Sequence, residues 1–140
     1  MRFDAAFRRY TALWAYRHPS PSDFFRIMDS EGGEDLSWFW RGWFAHNWPL
    51  DLGVKSVDPS GTSVTLTSKG GLVMPATVQI DYTDHTSRRI RVPVEIWMQG
   101  PQATISIAAP AAGTNVTGVT IDPDHVLPDD DRSDNTVKLP

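Results

Sequence analysis

The chain has 140 residues, 40% apolar and 21% charged, a composition that fits one globular domain or two small subdomains and excludes wholesale disorder. It contains no cysteine, which removes disulfides, thiolate zinc sites and a cysteine nucleophile together. The net charge of −4 is localised: residues 1–50 carry 6 basic and 6 acidic side chains, residues 51–121 carry 5 and 5, and residues 122–140 carry 2 and 6, so neither longer segment offers the clustered positive field that nucleic acid requires.

The first 50 residues read as helices. The start, Met1 to Arg9, places charge where a signal peptide would have its apolar stretch, and the expectation is a soluble globular piece. Phe3, Phe7, Tyr10 and Trp14 recur at intervals of 4, 3 and 4, which aligns four aromatics on one helical stripe. Pro19 is expected to stop this helix, because the residue before a proline is pushed out of the α region. A second helix starts at Ser20-Pro21-Ser22-Asp23, with Ser20 as cap, Pro21 at the first helical position and Asp23 at the capping-box position. Phe24, Phe25, Ile27 and Met28 form its buried side, and Gly32-Gly33 ends it. Asp35 caps or begins a third helix carrying Leu36, Phe39, Trp40, Trp43 and Phe44 on one face, ended by Asn47-Trp48-Pro49. Three helices with such short connections predict a compact layer.

After Leu50 the apolar period becomes two. Ile90, Val92, Val94 and Ile96 alternate with polar residues, with Pro93 marking an edge strand or bulge. Val78, Ile80 and Tyr82 alternate likewise, and residues 83–87 make a hairpin turn before Arg88. Further strands are expected at 52–57, 63–67, 103–108 and 116–121. The fold class that follows is α+β: an N-terminal three-helix layer over 1–50, then a small antiparallel β-sandwich of six or seven strands over 51–140, closing on an acidic tail. No apolar run approaches the roughly 20 residues that span a bilayer.

Chemistry has few footholds. His18, His46, His85 and His125 include no helical pair four residues apart, and no His-Glu-x-x-His occurs. There is no Gly-x-Ser-x-Gly elbow, and Gly32-Gly33 and Gly70-Gly71 lack the companions of a phosphate loop. Autonomous catalysis is not expected, and no cofactor is assigned to this chain. The block 36–44 reads either as helix core or as an aromatic platform for a peptide or sugar, and Trp38 lies off the main face. Trp38, Trp40, Trp43 and Trp48 are the candidates for a binding or interdomain surface. The tail offers Asp122, Asp124, Asp129 and Asp131 as hard oxygen ligands for calcium, against the plainer reading of a solvated strand end. Asn115-Val116-Thr117 fits a glycosylation sequon.

The runs Phe24-Phe25-Arg26-Ile27-Met28 and Gly33-Glu34-Asp35-Leu36-Ser37-Trp38-Phe39-Trp40-Arg41-Gly42-Trp43-Phe44 resemble the end of the catalytic domain in gluzincin aminopeptidases, the bacterial relatives of aminopeptidase N and leukotriene hydrolase. Phe7 to Tyr10, Trp14 to Pro19 and Pro21-Ser22-Asp23 fit the same region, and Val119 to Asp124 with Leu127-Pro128-Asp129 and Arg132-Ser133 is similar to the last strand of that family's C-terminal β domain. The resemblance implies the C-terminal piece of a zinc metallopeptidase. In that family the zinc ligands, the water-activating glutamate and the transition-state tyrosine belong to the catalytic core upstream. None maps onto a residue here, so no catalytic or metal residue is carried over. The implied partner is the rest of the parent polypeptide, with zinc in the parent only, and an aromatic patch on 1–50 is expected to stay exposed unless that partner or a dimer covers it. The alternatives are a free-standing peptide- or glycan-binding module and a calcium-stabilised adhesion-type sandwich.

Overall fold

The computed structural model describes residues 2–140. The chain divides into two compact units, one ending at Ala45 and the other spanning His46–Pro140. The change of period noted after Leu50 thus lies a few residues beyond the division.

The first unit holds α1 (Arg2–Trp14), α2 (Pro21–Gly32) and the single turn α3 (Ser37–Trp40), which runs on into a π turn, Arg41–Ala45. α1 ends well before Pro19. Tyr16 adopts φ 62°, and this left-handed residue breaks the helix before the proline acts. α2 begins with the expected capping box. The Ser20 hydroxyl accepts from the Asp23 N–H at 3.3 Å, and the Asp23 carboxylate accepts from the Ser20 N–H at 2.9 Å. Gly33, at φ 65°, closes α2 by donating its N–H to the Asp29 carbonyl at 3.0 Å, a left-handed cap that suits glycine.

The third helix differs from its sequence pattern. Asp35 accepts from the Ser37 N–H at 2.9 Å, but the α segment lasts only four residues. The wider π turn then takes over, so the α spacing from Leu36 to Phe44 does not hold past Arg41.

The second unit consists of two antiparallel sheets in a β-sandwich-like arrangement. With β1 (Leu52–Val57), β2 (Ser63–Ser68), β3 (Ala76–Tyr82), β4 (Ser87–Val92), β5 (Gln102–Ser106), β6 (Val116–Ile121) and β7 (Thr136–Lys138), the strand orders are β1-β2-β5 and β4-β3-β6-β7. The fold class is therefore α+β, with helices first and seven strands after. Leu52, Val64, Leu66, Val78, Ile80, Val119 and Ile121 are all fully buried, and in β2 and β3 the core residues alternate with less buried ones.

Two elements depart from the pattern. The alternation from Ile90 to Ile96 is not one strand: β4 stops at Val92, and Val94–Gln99 is a 3₁₀ segment opened by Pro93. Proline lacks the donor that would extend the ladder. Val94 and Trp97 stay buried on the 3₁₀ turn, and the Trp97 indole N–H donates to the Met74 carbonyl at 3.1 Å. The acidic end is not a solvated tail either. It contains a 3₁₀ turn, Arg132–Asp134, and a seventh strand that pairs Val137 with Val119.

Candidate functional site

The tryptophan block is the centre of a ring network within the first unit. Tyr10 meets Phe24 edge-on at 5.0 Å, and Phe24 meets Trp40 at 5.9 Å. Phe25 stacks on Trp40 at 4.5 Å with an interplanar angle of 18°, and Phe39 meets Trp40 edge-on at 5.1 Å. The Trp40 indole N–H donates to Asp29 Oδ1 at 2.7 Å, which satisfies the polar atom of the ring at the centre of the network. Asp29 escaped the sequence reading because a lone aspartate near the end of α2 looks like an ordinary solvated residue. The signal was its position on the α2 face that also carries Phe25.

Of the four candidate tryptophans, three belong to this network. Trp38 is half-buried and meets Phe39 edge-on at 5.8 Å, Trp40 is held as described, and Trp43 lies 6.0 Å from Phe39 and is 42% exposed. Trp48 belongs to the second unit. There it stacks on His46 at 3.9 Å and 5°, and it crowds Gly71, where an added Cβ would lie 3.3 Å from the indole. Gly71 also has φ 86°, so glycine serves both the turn and the ring.

The edge of the network is open. Phe3 is 58% exposed, Phe7 47% and Phe44 61%, and Phe3 and Phe7 stack on each other at 5.9 Å. The polar side of the same helices is tied by an Arg2–Glu34 pair and by Arg9–Glu31 at 3.6 Å. The exposed rings lie at two ends of the network, Phe3 and Phe7 before Tyr10 and Trp43 and Phe44 beside Phe39, and each end can meet an apolar or aromatic surface. Neither offers an acid, base or nucleophile aimed at a common point.

The four aspartates considered for calcium take separate structural roles. Asp122, 2% exposed and at φ 51°, accepts from the N–H groups of Val126 and Leu127, each at 3.1 Å, and from the Arg132 guanidinium at 3.0 Å. Asp124 makes a two-pronged pair with Arg89 at 2.7 and 3.0 Å. Asp129 accepts from the Asn135 amide at 3.0 Å, and Asp131 accepts from the Ser133 N–H at 2.9 Å. Among the described residues no three His, Asp or Glu side chains converge on a metal position. These contacts give each of the four aspartates a part in the loop architecture, and Arg132 inside an otherwise acidic run was the sign of it. Nor do the histidines assemble the zinc ligand set that the resemblance assigns to the parent: His85, at φ 63°, sits in the β3–β4 turn, His125 in the loop after β6, and His18 follows α1.

The carboxylates with displaced titration fall into two groups. Asp23, Asp35, Asp58, Asp84 and Asp131 are held below the usual carboxylate range by the hydroxyl and N–H of Ser20, Ser37, Ser60, Thr86 and Ser133 respectively, the signature of caps and turns. Asp51 goes the other way. Burial raises it, against the attraction of the Lys69 ammonium 3.9 Å away. Lys69 is itself raised, chiefly by its hydrogen bond to Asp134. This Asp51–Lys69–Asp134 group joins segments far apart in the chain, which is why no local pattern revealed it.

Asn115 of the sequon is exposed at the entry to β6, its N–H donating to the Thr83 hydroxyl at 3.1 Å. It borders a cavity of about 400 Å³ also lined by Val57, Pro59, Pro110 and Leu139. No helix among the described residues is long and apolar enough to cross a membrane. The chain matches no protein-family model and no curated protein.

Proposed function

We propose that this chain is the noncatalytic C-terminal region of a zinc aminopeptidase-like protein, a structural segment whose helices pack on the parent's catalytic domain. The observation that supports this reading is the open aromatic edge of the first unit, where Phe3, Phe7, Trp43 and Phe44 are each more than 40% exposed. Globular domains seldom leave several large rings of one small unit uncovered unless another surface is meant to meet them. The tryptophan-rich run at 36–44, on which the family resemblance rests, contributes Trp43 and Phe44 to that edge. On this reading the parent polypeptide is the partner, zinc is held by the parent's catalytic core, and residues of this chain supply none of its ligands.

The test is the source DNA upstream of the Met1 codon. The expected result is an open frame running back through His-Glu-x-x-His and a later glutamate. A stop codon and ribosome-binding site directly upstream would overturn the proposal. Trp43 and Phe44 would then become the leading residues of a free-standing peptide- or glycan-binding module, and tryptophan fluorescence would respond to the ligand.

A further inference from the structure

Four strands form the edges of the two sheets, and three of them carry devices that discourage pairing. β4 presents Arg88, Arg89 and Arg91, all exposed, and is followed by Pro93. β7 is three residues long and ends on the exposed Lys138. β1 carries the exposed Lys55 at an irregularity in its register, between Val54 and Ser56.

β5 carries none of these within the strand itself, although Pro101 precedes it and the Lys55 ammonium donates to the Gln102 side chain at 2.7 Å. Its five residues, Gln102-Ala103-Thr104-Ile105-Ser106, include no charge and no proline, and their register with β2 runs without a shift. Beyond the ladder with β2, no backbone hydrogen bond engages residues 102–106 among the described residues. Ala103 and Ile105 lie opposite the buried Leu66 and Val64, on the core face of the sheet, yet both are only half-buried because the strand beyond them is missing. Gln102, Thr104 and Ser106 make the exposed face, with the Thr104 hydroxyl 3.1 Å from that of Thr65.

We propose that β5 is a self-association edge, through which two copies of the chain pair antiparallel about a twofold axis at Thr104. The strand is self-complementary in that register. Gln102 faces the partner's Ser106, Ala103 faces the partner's Ile105, and Thr104 faces the partner's Thr104. Polar residues stay on the outer face, a small side chain meets a large one on the core face, and threonines pair at the centre. A slip by one residue would set outward side chains opposite inward ones, and a slip by two shortens the overlap, so the Thr104-centred register is favoured. The joined sheet continues β1-β2-β5 into its copy and covers Ala103 and Ile105. This pairing does not depend on the proposed function and uses residues of the second unit only, whereas the exposed rings belong to the first.

A five-residue overlap is short, so the dimer is weak and transient and is read at high protein concentration. Sedimentation of the full chain from about 10 µM to about 1 mM should show the average mass climbing from monomer toward dimer. Thr104→Lys and Thr104→Glu place like charges opposite each other at the axis, and each should weaken association about tenfold or more. Thr104 is exposed, so circular dichroism should show both variants folded as the native chain is. An equimolar mixture of the two variants should regain association, since lysine then faces glutamate. A native chain that stays monomeric throughout would overturn the proposal. So would association undiminished in Thr104→Lys, the behaviour of a dimer formed through the aromatic rings, or a mixture no better than its components.

Discussion

The two units of this chain bury their apolar residues very differently. In the sheet unit fifteen or so aliphatic side chains and Trp97 are buried, and seven strands account for most of their backbone hydrogen bonds. In the helical unit only Ala6, Met28 and Gly42 are buried among the described residues, although the unit holds six phenylalanines and four tryptophans. Rings there touch rings in a single layer. A layer of amphipathic helices needs a second layer to bury its stripe, and a sheet pair supplies that layer to itself. Apolar content alone therefore does not make a region self-sufficient; the number of layers does.

The largest effect should come from separating the units. Residues 46–140 alone are expected to melt cooperatively within about 5 °C of the whole chain, because their core is internal. Residues 1–45 alone should show weak helicity and no cooperative transition, since helices of this length depend on packing and fewer than about 50 residues rarely sustain a core without staples. Circular dichroism on both pieces decides it. A sharp transition in 1–45 would erase the contrast.

Within the sheet unit, the next effect lies at Asp122. Arg132→Met leaves the buried carboxylate with two N–H donors and no cation, at a cost on the order of 3 kcal/mol. Pairing it with Asp122→Asn should recover part of the loss, because the charge left unpaired is removed. Urea midpoints for the two variants measure this. A change below about 0.5 kcal/mol for Arg132→Met would show the loop to be held by its backbone alone.

The helical unit should rank its rings by enclosure. Trp40→Ala removes the stacking on Phe25 and the bond to Asp29, a loss of about 2 kcal/mol, while Phe44→Ala should stay within about 0.5 kcal/mol. Near-UV circular dichroism and amide exchange of α2 report both. On the proposed function, the order should narrow when a covering partner is bound, because Phe44 would then be enclosed, and an unchanged gap would count against that proposal.

How much of this was legible beforehand follows from the range of the interactions. The Ser20–Asp23 box, the Gly33 cap, β1 at 52–57 and β6 at 116–121 are set by residues within one turn or by short apolar runs between turn signals, and the sequence displays both. Tyr16 in the left-handed region, the π turn after Trp40 and the halt of β4 at Pro93 are local as well, but each is a competition whose winner packing decides. β7 and the Asp122–Arg132 pair were hidden because a run with six aspartates looks solvated until its partners, β6 and Arg132, are placed. The aromatic character of the first unit was legible as composition, and the need for a cover was legible from a helical layer without a second layer, while which rings stay open was not. The open β5 edge could not be read at all, since an edge is defined by which strands fail to arrive.

The smallest effect should be one of pH, at Asp51. Burial raises its pKa in the folded chain above the unfolded value, even with Lys69 3.9 Å away. A raised carboxylate favours folding in its protonated form, so its contribution is fully present below the unfolded pKa and is lost as pH rises through the folded one. At neutral pH the ionised Asp51 is thus a net cost to the sheet unit. Asp51→Asn keeps the shape and removes the charge, and its melting temperature at pH 7 should exceed that of the native chain by about 2 °C. The gap should shrink toward zero as pH falls below the carboxylate range, where the native Asp51 is also neutral. A lower melting temperature for Asp51→Asn at pH 7 would mean that attraction to Lys69 outweighs burial, and the Asp51–Lys69–Asp134 group would then be a stabilising ion network in which both carboxylates are needed.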